Sequence, residues 1–78
     1  MANLALSTVY VRVTQVLLEN GHEVNGEWHV SGSSEQIADM VGASREMVNK
    51  VLRCMVIKRV IRRDKQKIIV VDRDAFRM

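Results

Sequence analysis

The chain has 78 residues, 47% of them apolar and 27% charged, with a net charge of +3, a single cysteine and no proline. That is enough for one small core and not two, too apolar for a disordered chain, and without the run of about 20 apolar residues that spans a bilayer. Cys54 has no second cysteine to pair with, which points to a reducing, cytoplasmic compartment. The N-terminus MANLALSTVY lacks the charged region and cleavage pattern of an export signal, so none is expected.

The charge is unevenly placed. Residues 1–44 carry one basic residue (Arg12) against five acidic ones (Glu19, Glu23, Glu27, Glu35, Asp39), net −4, whereas residues 45–78 carry eleven basic against four acidic (Glu46, Asp64, Asp72, Asp74), net +7. A basic half predicts an anionic partner for the C-terminal part. The plainer reading is charge that keeps a small domain soluble.

In chain order, the spacing of Val9, Val13, Val16 and Leu17 predicts a helix over residues 4–20, with Thr8 as N-cap and Gly21 just past the end. Val9, Val11 and Val13 also alternate as in a strand, but the length of the segment favours helix. Leu4, Leu6, Val11 and Leu18 leave this helix apolar nearly all round, so something beyond the domain is expected to cover it. In 22-HEVNGEWHV-30, Asn25-Gly26 predicts a two-residue hairpin turn, with Trp28 packed over the first helix. Ser31-Gly32-Ser33 reads as a turn. Ser33 and Gln36 form a capping box that starts a second helix, with Ile37, Met40 and Val41 as its buried stripe and Gly42 as its stop.

Ser44 caps a third helix, over about 44–57. At about 100° per residue, Val48, Val51, Leu52 and Met55 fall on one side, and Arg45, Glu46, Asn49, Lys50 and Arg53 on the other. Val56 and Ile57 swing toward the polar side, so the helix is expected to stop near them. Val60–Arg63, Asp64-Lys65-Gln66 and Lys67–Val71 then read as strand, turn, strand, and 72-DRDAFRM-78 as one helical turn.

Two short helices joined by 41-VGAS-44 make a helix-turn-helix, with Ala38 small where the helices cross. Such a pair projects the start of its second helix into the major groove of DNA. The fork of Arg45 matches guanine O6 and N7, Glu46 can accept from cytosine N4, and Lys50 reaches a purine edge or a phosphate. Arg62, Arg63, Lys65 and Lys67 form a basic cluster in the second hairpin. Four cations on one hairpin beside this helix pair favour phosphate contact over a merely solvated face.

From Leu4 to Phe76, and most sharply in 36-QIADMVGASREMVNKVL-52, the chain resembles the C-terminal DNA-binding domain of the Crp/Fnr (cyclic-AMP receptor protein) family of bacterial transcription regulators. The resemblance implies an α+β fold: a winged helix-turn-helix of three helices, with a hairpin before the helix-turn-helix and a β-hairpin wing after it, all within one domain over 1–78. It implies double-stranded DNA as partner, a dimer in the full-length protein, and RNA polymerase as a candidate partner. Arg45, Glu46 and Lys50 match the Arg-Glu-x-x-x-Arg pattern of the branch that reads a TGTGA-like half-site. Base contacts are thereby assigned to Arg45, Glu46, Asn49 and Lys50, and phosphate contacts to Ser33, Ser44, Arg53, Arg62, Arg63, Lys65 and Lys67. Lys50 departs from the pattern's arginine, which turns a bidentate contact into a point charge. Asn49, Arg59 and Gly32 are further departures, Arg59 standing where relatives often carry glycine or asparagine. The family's effector domain and dimerisation helix have no counterpart in these residues, so the chain is expected to be a fragment or a domain expressed alone.

Plainer roles account for the remaining residues. Met40, Met47 and Met55 read as core filler, and Cys54 as a half-buried small residue rather than a redox sensor or cluster ligand. His22 and His29 flank a hairpin without a third ligand at metal spacing. No Ser/His/Asp or Cys/His set and no glycine-rich phosphate loop is present, so the chain reads as a non-enzyme that takes no cofactor. The rival function is a winged helix used for protein interaction or oligomerisation, through Val56, Ile57 and the first helix.

Overall fold

The computed structural model describes residues 6–72. Its elements run α1 (Leu6–Glu19), β1 (Gly21–Val24), β2 (Glu27–Ser31), α2 (Ser34–Val41), α3 (Arg45–Ile57), β3 (Ile61–Asp64) and β4 (Lys67–Val70). Three helices pack on a small antiparallel sheet, the predicted α+β winged helix.

α1 buries Val9, Val13, Thr14 and Leu17, a helical stripe that overrides the strand-like alternation of its valines. Thr14 is buried without cost because its hydroxyl donates to the Tyr10 carbonyl four residues back, at 2.9 Å. Thr8 lies inside the helix, not at its N-cap: Leu6 and Ser7 before it are already helical. The far end is closed by side chains, since a helix leaves its last carbonyls without intrahelical donors. Asn20 Nδ2 donates to the Val16 carbonyl and Trp28 Nε1 to that of Leu17, both at 2.9 Å. Gly21 follows the helix but opens β1. What it needs is room, because a Cβ there would overlap the Trp28 indole.

The β1–β2 hairpin turns at Asn25 and Gly26, both with positive φ (52° and 84°), as a two-residue primed turn requires. Ser31 ends β2 rather than belonging to a turn. The second hairpin is tighter than expected. Asp64 is a strand residue, the turn is Lys65-Gln66, and Val60 and Val71 lie just outside the strands. The two hairpins form a single sheet of order β1-β2-β4-β3, joined by Trp28↔Val70, His29↔Ile69, Val30↔Ile68 and Ser31↔Lys67. Val30, Ile61, Ile68 and Val70 face the helices and join the core. Ile69 lies outside that cluster yet is only 5% exposed, with His29 and Arg62 as its cross-strand neighbours.

The core between sheet and helices is built on Val9, Val13, Leu17, Ile37, Val48, Val51, Leu52 and Met55. Two sequence expectations fail here. Met40 is 51% exposed, and Ala38 takes the buried place beside Ile37 and Val41. In a helix of eight residues the stripe is narrow, and Met40 falls at its edge. Cys54 is exposed, not half-buried. The helical turn expected in 72–78 lies outside the described residues, Asp72 excepted. No helix among the described residues is long and apolar enough to cross a membrane.

Candidate nucleic-acid interface

The site is assembled by three caps. Ser33 accepts from the Gln36 amide at 3.3 Å while the Gln36 side chain accepts from the Ser33 amide at 3.0 Å, so α2 begins with a complete capping box. α2 ends at Gly42, which takes the left-handed conformation (φ 79°) and donates to the Ala38 carbonyl at 2.8 Å. Arg12 Nη1 donates to the Val41 carbonyl at 3.3 Å, tying α1 to the same turn. Two residues on, Ser44 accepts from the Met47 amide at 3.2 Å and starts α3. The turn between the helices is therefore fixed at both ends, which fixes the direction in which α3 crosses α2.

α3 buries Val48, Val51, Leu52 and Met55. Arg45, Glu46, Lys50 and Arg53 are exposed and Asn49 half-buried, so the five polar residues assigned to this helix share the solvent side. Arg45 and Glu46 occupy the first turn. Glu46 is favoured there by the helix dipole, whereas Arg45 is opposed by it. Arg45 Nη1 lies 4.0 Å from Glu35 Oε2, across the inter-helix turn, with the Arg45 side chain 66% exposed.

α3 ends in a Schellman arrangement. The Val60 amide donates to the Met55 carbonyl at 2.9 Å and the Arg59 amide to that of Val56 at 3.0 Å, with Arg59 left-handed at φ 60°. Arg59 thus holds a position that favours glycine or asparagine for a backbone reason. In the last turn of α3, Val56 is exposed beside Ile61 and Val71, and Ile57 is 72% exposed.

The wing carries Arg62, Arg63, Lys65 and Lys67, all exposed. Register places Arg62 opposite Ile69 and Arg63 opposite Ile68, so these two arginines leave the hairpin on opposite faces. Lys67 has the same parity as Ile69 and shares a face with Arg62. Arg62 Nη2 donates to Glu27 Oε2 at 3.4 Å, and Glu27 Oε1 accepts from His29 Nε2 at 3.2 Å. The structure therefore brings Arg45, Glu46, Asn49, Lys50 and Arg53 together on α3 but separates the wing cations into two sets. Ser33 and Ser44 are exposed at helix starts with their oxygens already engaged as caps. The carboxylates Glu27 and Glu35 were not singled out in the sequence. They are found through the strand register and the packing of α2 on α3, and no spacing pattern reveals them.

A capped second helix with one exposed polar face, a basic wing and one core define a winged helix-turn-helix of the DNA-binding class. The Crp-like helix-turn-helix domain model matches residues 11–78, nearly the whole chain. The chain belongs to that family, whose members serve as DNA-binding domains of transcription regulators.

Among solved structures it is similar to TTHA1359, a CRP/FNR-family transcriptional regulator from Thermus thermophilus, at 28% identity and a TM-score of 0.78, over 86% of this chain and 37% of that one. It is also similar to TTHB099, a CRP-family regulator from the same organism, at 26% identity and 0.78, over 91% and 40%. The reduced, Fe(II) CO-sensing protein from R. rubrum shares the fold at 15% identity and a TM-score of 0.83, over 91% of this chain and 35% of that one. The chain spans well under half the length of these proteins. No curated protein matches it in sequence.

Proposed function

We propose that this domain binds double-stranded DNA sequence-specifically, with the first turns of α3 in the major groove and a TGTGA-like half-site as its target. Arg45 pairs with a guanine, Glu46 accepts from a cytosine, and Asn49 and Lys50 contact the next base pairs or the phosphates beside them. Arg53, Ser33 and Ser44 meet the backbone flanking the groove, as do Lys65 at the wing tip and Arg62, Arg63 and Lys67 along it. The observation that carries this reading is the start of α3. It is capped by Ser44, leads with exposed Arg45 and Glu46, and faces away from the stripe of Val48, Val51, Leu52 and Met55. Family membership supports the same reading.

One module of this kind buries roughly 600–1,000 Å² on DNA, so a single domain binds weakly. Tight binding needs two copies on an inverted repeat, about one helical turn apart. The test is selection from random duplexes with the domain fused, before Leu4, to a dimerising coiled coil. Recovery of an inverted repeat of TGTGA-like half-sites is the expected result. Recovery of no common sequence, from a fusion that remains folded, would contradict the reading.

The second reading is a protein-contact module. The exposed Val56, Ile57 and Val71 favour it, together with the apolar groove of Leu6, Tyr10 and Val11 beside Cys54 and Lys58. Those residues lie away from the start of α3. If contact through them were the whole function, substitutions at Arg45 and Glu46 would leave binding of any partner unchanged.

A further inference from the structure

Arg45 cannot rely on its own helix to hold its fork. At the first position of α3 it sits at the positive end of the helix dipole, and its long side chain has several free torsions. Among the described residues, the one carboxylate within ion-pair distance of it comes from the neighbouring helix: Glu35, 4.0 Å away and, like Arg45, exposed. Glu35 is itself well placed. It is in the first turn of α2, where a carboxylate is favoured, two residues after the capping Ser33. Both helix starts are locked, by the Ser33–Gln36 box and by Ser44, so the backbone separation of residues 35 and 45 is fixed within reach of the two side chains.

We propose that Glu35 is a positioning residue for DNA recognition, buttressing Arg45 so that its guanidinium fork is presented to a guanine. This rests on the reading of Arg45 as a base contact. A guanidinium has five N–H donors. A carboxylate on Nη1 leaves enough of them on the other edge for guanine O6 and N7. Pairing on one edge fixes the side chain before DNA arrives, so less of its freedom is lost on binding. On DNA without the guanine the same carboxylate does the opposite. It partly neutralises Arg45 and repels nearby phosphates, and so lowers non-specific affinity. Glu35 would thus raise specificity from both sides, although it reads no base.

The test is fluorescence anisotropy of the chain on a TGTGA-containing duplex and on an unrelated duplex of equal length, at fixed salt. Glu35→Gln is compared with Glu19→Gln, an equal charge change at the end of α1. Relative to that control, Glu35→Gln is expected to weaken binding to the TGTGA duplex by about two- to fivefold, the worth of one exposed ion pair. Binding to the unrelated duplex is expected to be as strong as in the control or stronger. With Arg45→Ala already present, the loss confined to the TGTGA duplex should vanish. A parallel gain on both duplexes, or no difference from Glu19→Gln, would overturn the proposal while leaving the DNA reading intact. An Arg45→Ala variant that binds both duplexes like wild type would instead remove the reading on which the proposal rests.

Discussion

Replacing Ser44 separates what holds α3 from what α3 touches. Its hydroxyl accepts from the Met47 amide at 3.2 Å, at the long end of the hydrogen-bond range, and its own carbonyl accepts from Val48 at 3.1 Å. Ser44→Ala removes the first bond and keeps the second. An N-cap is worth about 0.5–2 kcal/mol. With a long bond at an exposed position the lower half applies, about 0.5–1 kcal/mol, which lowers the melting temperature of a domain this size by about 2–8 °C. Ser44→Asp keeps the cap and adds a charge that the helix dipole favours, so its melting temperature should match wild type within experimental scatter. It also places a carboxylate where the backbone of docked DNA is expected. One like charge at contact distance costs about 1 kcal/mol or more even when well solvated, so affinity should fall about fivefold or more on every duplex. Thermal denaturation by circular dichroism and anisotropy on two duplexes measure both. An unchanged melting temperature for Ser44→Ala would refute the cap. Wild-type DNA affinity for a stable Ser44→Asp would refute the placement of this helix end beside phosphate.

Arg59→Gly should stabilise the fold by about 0.5–1 kcal/mol, because the left-handed conformation costs a residue with a side chain more than the extra unfolded-state freedom of glycine. A lower melting temperature would contradict that. Gly21→Ala should destabilise by about 1–3 kcal/mol, because the new Cβ forces the Trp28 indole off the Leu17 carbonyl. Urea denaturation followed by the fluorescence of Trp28, the chain's single tryptophan, reads it. Replacing Arg62 and Lys67 together with Ala should weaken binding to all sequences alike and flatten the salt dependence by about one unit of slope per lost phosphate contact. An unaltered slope would mean that this face of the wing does not meet the backbone.

Where a local rule decides the structure, the sequence was a sufficient guide. Ser33 with Gln36, Gly42 and Ser44 announce caps that need only their immediate neighbours, and Asn25-Gly26 announces a turn for the same reason. The stripe of Val48, Val51, Leu52 and Met55 follows from helical periodicity alone. What escaped is non-local. Nothing within either hairpin says that β2 will pair with β4 into one sheet, because that register is set by side chains some 40 residues apart, such as Trp28 and Val70. The exposure of Met40 depends on where α1 and α3 close over a short helix. Of the candidate site, the face of α3 was legible. The division of Arg62 from Arg63 needed the strand register, and the carboxylates beside Arg45 and Arg62 needed the tertiary structure.

The central claim is that the exposed edge of α3 reads base pairs, and Arg45→Ala tests it most directly. The side chain is exposed and lies outside the buried stripe, so the variant should fold like wild type. If Arg45 holds a guanine by two hydrogen bonds, its loss should cost about 1–3 kcal/mol on the half-site recovered by selection, and much less on unrelated duplex or on a half-site altered at that one base pair. Anisotropy on these three duplexes at one salt concentration gives the answer. An equal loss on all three would mean that Arg45 contacts phosphate alone. No loss on any of them would contradict the account and leave the protein-contact reading as the better one.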